Sequence, residues 1–378
     1  MNWGFIIISY VSLLAFGLAD NIRGPLFLEV LRSYQLSDFI GSFVFAASSF
    51  MALIASLMSS FWSRYFHQYR LLQFGLIFMS VGFCGMGLAK TYPQMLIFVC
   101  AFGVSVGLLS ISQNYLVSVG TTEQHRSRTL SGLHAMYGLA SLTAPLVAST
   151  FSQKQWSWQE IFIFVGILPL VVLFGSFFKA APKLKKSVIN FNDETNSINK
   201  NKLFMFAMSF SLYVVAEILV SSRLALYLRR DYNYDLPESS QALLIFFILL
   251  LIGRGLSSFV NWGTELRKAL LWSLGTTAVA LSLGLLVHPG FLVFAGLTMA
   301  PFYPLAISFI SEIFPNHVQM AIGWAMSLQS LCVVSMHLVV GRFSDNFGLA
   351  AALWLGPMAC FISFFLIQFG VRLDEAKS

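Results

Sequence analysis

Runs of about 20 apolar residues, long enough at ~1.5 Å per residue to cross a bilayer, recur from one end of the chain to the other. They predict twelve helices, over 3–31, 37–61, 70–90, 94–118, 130–151, 159–178, 203–228, 239–260, 268–288, 290–313, 319–341 and 348–370. The polar segments between them are short, with one exception. Residues 179–202, KAAPKLKKSVINFNDETNSINKNK, combine a proline, a basic cluster and a run of Asn, Asp, Ser and Lys. Nothing there can bury a core, so a flexible cytoplasmic linker is expected. It divides the chain into a six-helix bundle over 1–178 and a second over 203–378. The first apolar run lacks a basic leader and a small-residue cleavage site, so it reads as a retained helix and not a signal peptide.

Composition fits lipid as the solvent. Of 378 residues, 57% are hydrophobic and 10% charged, against about 25% charged in a soluble domain. The formal charge of +7 is not gathered into a basic arm, which argues against nucleic acid. With the N-terminus inside, the inner segments carry Arg64, Arg70, Arg126, Arg128, Lys179, Lys183, Lys185, Lys186, Lys200, Lys202, Arg267, Lys268, Arg372 and Lys377. The outer segments carry only Arg32, Lys90, Lys154, Arg229, Arg230 and Arg342. This asymmetry predicts both termini on the cytoplasmic side. The absence of an Asn-x-Ser/Thr acceptor points to a bacterial inner membrane. Cys84, Cys100, Cys332 and Cys360 sit in apolar runs without metal-ligand spacing. They read as small hydrophobes, and no disulfide framework, metal or cofactor is expected.

The halves resemble each other. The fifth helix ends in SQKQWSWQE and the eleventh in GRFSDNFG, and each half opens with a long helix bearing a carboxylate, Asp20 or Glu217. Two six-helix repeats flanking a midplane site is a plan of many secondary transporters. Across essentially its whole length the layout resembles the major facilitator superfamily. That family's inner loop motif, roughly Gly-x-x-x-Asp-Arg-x-Gly-Arg-Arg, has a faint counterpart in FWSRYFHQYR (61–70). Arg64 and Arg70 keep its basic character, and a gating role for them is what the resemblance implies. Ser63 stands where the Asp would be, so the family's gating salt bridge is not expected here. GLADNIRGP (17–25), LHAMYG (133–138) and LYVVAEILVSSRLALYL (212–228) resemble segments of the sugar-type branch that includes the fucose–proton symporter. The acidic positions of that permease align with Gly24 and Ser110 here. A proton-coupling role therefore moves to Asp20 or Glu217, or is absent.

An ionisable side chain at the bilayer centre costs at least about 2.5–3.5 kcal/mol, which makes it a candidate for function. Asp20, Asn21 and Arg23 lie in the first helix. The three-residue spacing of Asp20 and Arg23 lets their charges neutralise each other, either as a structural ion pair or as part of a substrate or proton site. Glu217 has no cation within one turn of it. It is expected to be an unpaired carboxylate that exchanges a proton, or a protonated hydrogen-bond donor between helices. Ser110, Gln113 and Asn114 mark the fourth helix, with 110 and 114 on one face. They either bind a hydroxylated solute or hold helices together. His134 and Tyr137 mark the fifth helix, and His134 is either a titrating site residue or a structural one. Arg223 and Arg254 lie toward helix ends. Both are expected to snorkel to the interface, with gating as the functional reading for Arg254. Tyr303, Trp324 and Gln329 are further candidate liners. GVSVG (103–107) fits the letters of a hydrolase elbow but lies inside an apolar helix. It reads as a GxxxG packing face.

The function these features predict is secondary transport of a small polar solute, a sugar or sugar-like molecule, by alternating access with protons as the expected coupling ion. The second reading is an exporter or antiporter of an organic anion or amphiphile, since Arg23 and His134 both suit negative charge. A membrane-embedded enzyme or receptor is the reading from another class, but it lacks a nucleophile with a base or a metal cluster. The expected partners are the solute, the bilayer and protons, with the chain a monomer. Asp20, Asn21, Arg23, Asn114, His134 and Glu217 are expected to converge near the midplane.

Overall fold

Helix follows helix throughout the computed structural model, which describes residues 1–177, 199–260, 265–315 and 317–371. The 179–198 part of the predicted linker lies outside the described residues, as do Arg372 and Lys377. Residues 200–202, expected in the linker, instead form a first helical turn. Asn199 caps it, its side chain accepting from the Lys202 N–H at 3.1 Å.

Two compact units are formed, one from 1–177 with 236–241 and one from 199–235 with 242–371 among the described residues. The first contains α1 (Trp3–Ile22), α2 (Phe27–Tyr34), α3 (Asp38–Leu57), α4 (Ser59–Tyr65), α5 (Gln68–Leu88), α6 (Tyr92–Gly120), α7 (Arg126–Gln153) and α8 (Trp158–Phe177). The second contains α9 (Lys200–Asp231), most of α10 (Leu236–Phe259), α11 (Leu266–Leu286), α12 (Gly290–Met299), α13 (Phe302–Ile313), α14 (Val318–Phe347), α15 (Leu349–Leu353) and α16 (Leu355–Phe365). Among the described residues, eleven helical segments are long and apolar enough to cross a membrane. The twelfth position belongs to α7, a 28-residue helix rich in Ser and Thr that opens on Arg126 and Arg128.

Several expected helices are broken. The apolar run over 3–31 stops at Ile22 and restarts at Phe27. Pro25 lacks an N–H and disfavours helical geometry at Gly24 before it. α2 then ends on Gln35 in the left-handed region at φ 52°. The run over 290–313 breaks between Met299 and Phe302, around Pro301. The run over 37–61 divides into α3 and α4, and that over 348–370 divides into α15, α16 and a terminal π turn.

The packing repeats from one unit to the other. α1 lies along α7, and α9 along α14; α5 packs on α6 and α8, and α11 on α12 and α16. α6 meets α3 through Gly103 and Gly107, where a Cβ on Gly107 would stand 2.6 Å from the Ala52 carbonyl oxygen. That is the close-packing role expected of GxxxG. Large apolar side chains such as Leu88, Ile97, Phe174 and Trp272 point outward. Serines such as Ser9, Ser12, Ser105 and Ser209 are fully buried. Apolar outside and polar inside is the arrangement lipid demands.

Candidate functional site

Each unit holds a charged cluster built on its first long helix. α9 runs for 32 residues, and α1, its turn and α2 together cover the same length from Trp3 to Tyr34. Asp20 and Glu217 stand equally far from the first residues, Trp3 and Lys200, near the middle of each.

In the first unit Asp20 pairs with Arg23, as the spacing predicts. The turn at 23–26 carries Arg23 back toward α3. There its guanidinium donates to Ser48 Oγ at 2.8 Å and to the Val44 carbonyl at 3.3 Å. It also lies over the rings of Phe45 and Phe102, at 5.1 and 4.9 Å. Only 8% of the Arg23 side chain is exposed, against 28% for Asp20. The other Asp20 oxygen accepts from the Tyr137 hydroxyl at 2.7 Å. Gly17 makes this reach possible, since a Cβ there would come within 2.7 Å of Ala140 on α7. Asn21 turns back to donate to the Gly17 carbonyl at 2.8 Å. His134 is exposed on α7, one turn before Tyr137.

The fourth-helix candidates divide. Asn114 donates to the Ser110 carbonyl at 2.7 Å, and Ser110 to the Gly107 carbonyl at 3.2 Å. Both are half-buried. Gln113 is buried and donates to Ser12 Oγ on α1 at 3.0 Å, a helix-to-helix bond of the kind that fixes packing.

In the second unit the expectation of an unpaired Glu217 is overturned. Arg254, 37 residues away on α10, donates to both of its oxygens at 2.9 and 3.1 Å. Arg254 therefore does not snorkel. A carboxylate in an apolar interior draws the nearest cation, because an uncompensated buried charge costs more than bending a long side chain. The Tyr213 hydroxyl lies 2.6 Å from Glu217 Oε2, one turn back on α9. Arg254 also stands over the Tyr303 ring at 5.8 Å, and that ring packs on Phe210. Arg223 does not snorkel either, being only 1% exposed. Gln329 is half-buried on α14, and its side-chain oxygen has no hydrogen-bond partner among the described residues. Trp324 points outward.

Arg64 and Arg70 are exposed where α4 meets α5. Beside them Ser63 accepts from Gln68 at 2.8 Å, and the Gln68 oxygen accepts from Ser112 at 3.1 Å. Neutral hydrogen bonds tie this loop to α6 where the family motif has an acid. Among the described residues no group of His, Cys, Asp and Glu is arranged to hold a metal ion.

Sequence reasoning missed Tyr213, Ser48, Phe45 and Phe102. Tyr213 was within reach of a sequence argument, because it stands one helical turn from Glu217. The others come from separate helices and leave no local signal.

The profile of the Major Facilitator Superfamily matches residues 9–318. A protein named TsgA homolog from Buchnera aphidicola is 19% identical, over 99% of this chain and 97% of its own. A TsgA homolog from Yersinia pestis is 20% identical, over 81% of this chain and 76% of its own. Among solved structures, a D-xylose–proton symporter superposes with a TM-score of 0.81 at 14% identity, covering 100% of this chain and 99% of that one. A bacterial homolog of the human lysosomal transporter Spinster does so with 0.80 at 11%, covering 98% and 97%. Family profile, helix plan and paired clusters agree: the chain belongs to the Major Facilitator Superfamily, and is a membrane transporter and not an enzyme.

Proposed function

We propose that the protein is a secondary active transporter for a small, electroneutral, hydroxyl-bearing solute, a sugar or sugar-like molecule, moved by alternating access and coupled to protons through Glu217. The observation that carries this reading is the charge balance of the clusters. Asp20 is answered by Arg23, and Glu217 by Arg254. A permanently anionic solute would have to break one of these pairs and strand a charge in low dielectric. Arg23, the cation first considered for such a solute, is enclosed by Phe45, Phe102 and Ser48. A neutral polyol needs only hydroxyl, amide and aromatic partners. Asn21, Ser110, Asn114, His134 and Tyr137 in the first unit, and Tyr303 and Gln329 in the second, are of those kinds, and the Asp20 carboxylate beside them can accept from a solute hydroxyl. The likeness of segments 17–25, 133–138 and 212–228 to the sugar-type branch supports the same solute class.

Glu217 is the better coupling residue of the two carboxylates. Asp20's partner is locked on three sides, whereas the Arg254 side chain is 37% exposed and freer to leave. Binding should stabilise the purified protein according to solute class. Neutral sugars and polyols are expected to raise its thermal midpoint and organic anions to leave it unchanged. Stabilisation by anions alone would replace this reading with the anion exporter.

The same proposal places the chain in a bacterial inner membrane with both termini cytoplasmic, and makes Arg64 and Arg70 parts of an inner gate held by the Ser63–Gln68–Ser112 bonds. On a background without the native cysteines, Arg64→Cys should react with an impermeant thiol reagent only from the cytoplasmic side, and Lys90→Cys only from the outer side. The reverse pattern would invert the topology.

A further inference from the structure

The hydroxyl of Tyr213 has more acceptors than protons. It lies 2.6 Å from Glu217 Oε2 and 2.7 Å from the carbonyl oxygen of Met299. A phenol carries one O–H, which it can donate once, while its oxygen can also accept. Both short contacts are hydrogen bonds only if Glu217 brings a proton of its own. Two arrangements are therefore built into one geometry. With Glu217 ionised, its oxygens accept from Arg254 and Tyr213, and the Met299 carbonyl is left without the hydroxyl. With Glu217 protonated, Oε2 donates to the Tyr213 oxygen, Oε1 still accepts from Arg254, and the hydroxyl proton turns to Met299.

Met299 is the last residue of α12, directly before the break at Pro301. Phe302, the first residue of α13, stacks on the Tyr213 ring with centroids 4.1 Å apart. Tyr213, wholly buried, thus touches both sides of the break. α10 approaches the same place, since Gly253, next to Arg254, faces Ala300 and Leu297.

We propose that Tyr213 is a positioning residue of the transport cycle, whose hydroxyl bonds the Met299 carbonyl when Glu217 holds a proton and Glu217 when it does not, so that proton uptake fastens α9 to the break between α12 and α13. The step is balanced. One proton arrives from water and forms an O–H bond at Glu217 Oε2; the O–H of Tyr213 is not broken and rotates about its C–O bond. The inference rests on Glu217 being the coupling residue.

Other titratable or charged groups surround the pair. Arg254 reaches it from α10 and Tyr303 from α13. α14, packed along α9, carries buried His337 and half-buried Cys332. α16 contributes buried Cys360, and α9 itself Arg223. Of these, Arg254 also reaches Tyr213 itself, while the two short bonds of the hydroxyl go to Glu217 and Met299.

The test is amide hydrogen exchange of the full protein in liposomes, read over residues 300–306 on either side of neutral pH and corrected for intrinsic rates. The parent should exchange several-fold more slowly at the acidic condition, where the hydroxyl holds Met299. Tyr213→Phe keeps the ring on Phe302 and should exchange at one corrected rate at both conditions. Glu217→Gln should also be flat, and this second variant keeps the test decisive if Tyr213→Phe does not fold. Infrared difference spectra between the two conditions follow the Glu217 carboxyl in parallel. A titrating carboxyl band in the parent that Glu217→Gln removes, with unchanged pH dependence in Tyr213→Phe, overturns the role of Tyr213 while leaving Glu217 in place. No titrating band removed by Glu217→Gln overturns both.

Discussion

Glu217→Gln is expected to exchange solute across proteoliposomes at close to the parent rate yet to lose all accumulation driven by a pH gradient. Glutamine keeps the shape of the protonated acid: its amide oxygen can still accept from Arg254, and its NH2 can donate to the Tyr213 oxygen as the protonated acid does. What it cannot do is change its charge. A ligand moves an equilibrium only by binding two states differently, and a residue that never releases its proton gives the gradient nothing to act on. Arg254→Gln should behave differently, because it leaves a carboxylate without its cation. That variant is expected to lose exchange as well as accumulation, and to be less stable than the parent. Glu217→Gln combined with Arg254→Gln should recover the stability and the exchange but not the accumulation. If Glu217→Gln alone still concentrates solute as the parent does, Glu217 is a structural partner of Arg254, and Asp20 is the next residue to test.

Arg23→Leu is expected to cost the first unit about 3–5 kcal/mol, the range for breaking a buried pair by removing one partner. The substitution takes a cation from between Phe45 and Phe102 and leaves Asp20 with Tyr137 alone. Asp20→Asn in the same chain removes the stranded charge, and Tyr137 can still donate to the new side chain. The double variant should therefore recover most of the loss, and a thermal or denaturant double-mutant cycle reads the coupling directly. Simple additivity of the two changes would mean that the pair is not an energetic unit. This contrast is central to the assignment of roles. The first cluster is a fastened joint, while the second has a half-exposed arginine and a hydroxyl with two acceptors.

How much of this was legible in the sequence depends on chain separation. The Asp20–Arg23 pair is written in its three-residue spacing, and the GxxxG face of α6 in its two glycines. The pairing of Glu217 with Arg254 is not, because nothing local says which faces of α9 and α10 meet. That gap turned a paired carboxylate into an apparently solitary one. Tyr137 and Asp20 are 117 residues apart in sequence, and the packing of α1 along α7, close at Gly17 and Ala140, brings them together. The helix breaks were half visible. Pro25 and Pro301 interrupt their apolar runs, yet Pro145 and Pro169 sit inside α7 and α8 without ending them. A proline in an apolar run marks a place where a helix can break, and packing decides whether it does. The arginines misled for a similar reason. Position near a helix end suggested snorkelling for Arg223 and Arg254, but the interior supplied surroundings the sequence did not reveal.

Whether a proton gradient drives a neutral solute through this protein is decided by reconstituting the purified chain in proteoliposomes and imposing a pH gradient. Uptake of a panel of labelled neutral sugars and polyols is then followed, with and without a protonophore and with no nucleotide present. At least one neutral solute should be concentrated inside, the protonophore should return it to its equilibrium level, and organic anions should not be concentrated. Uptake that only equilibrates whatever the gradient, or accumulation restricted to anions, would contradict proton-driven transport of a neutral solute.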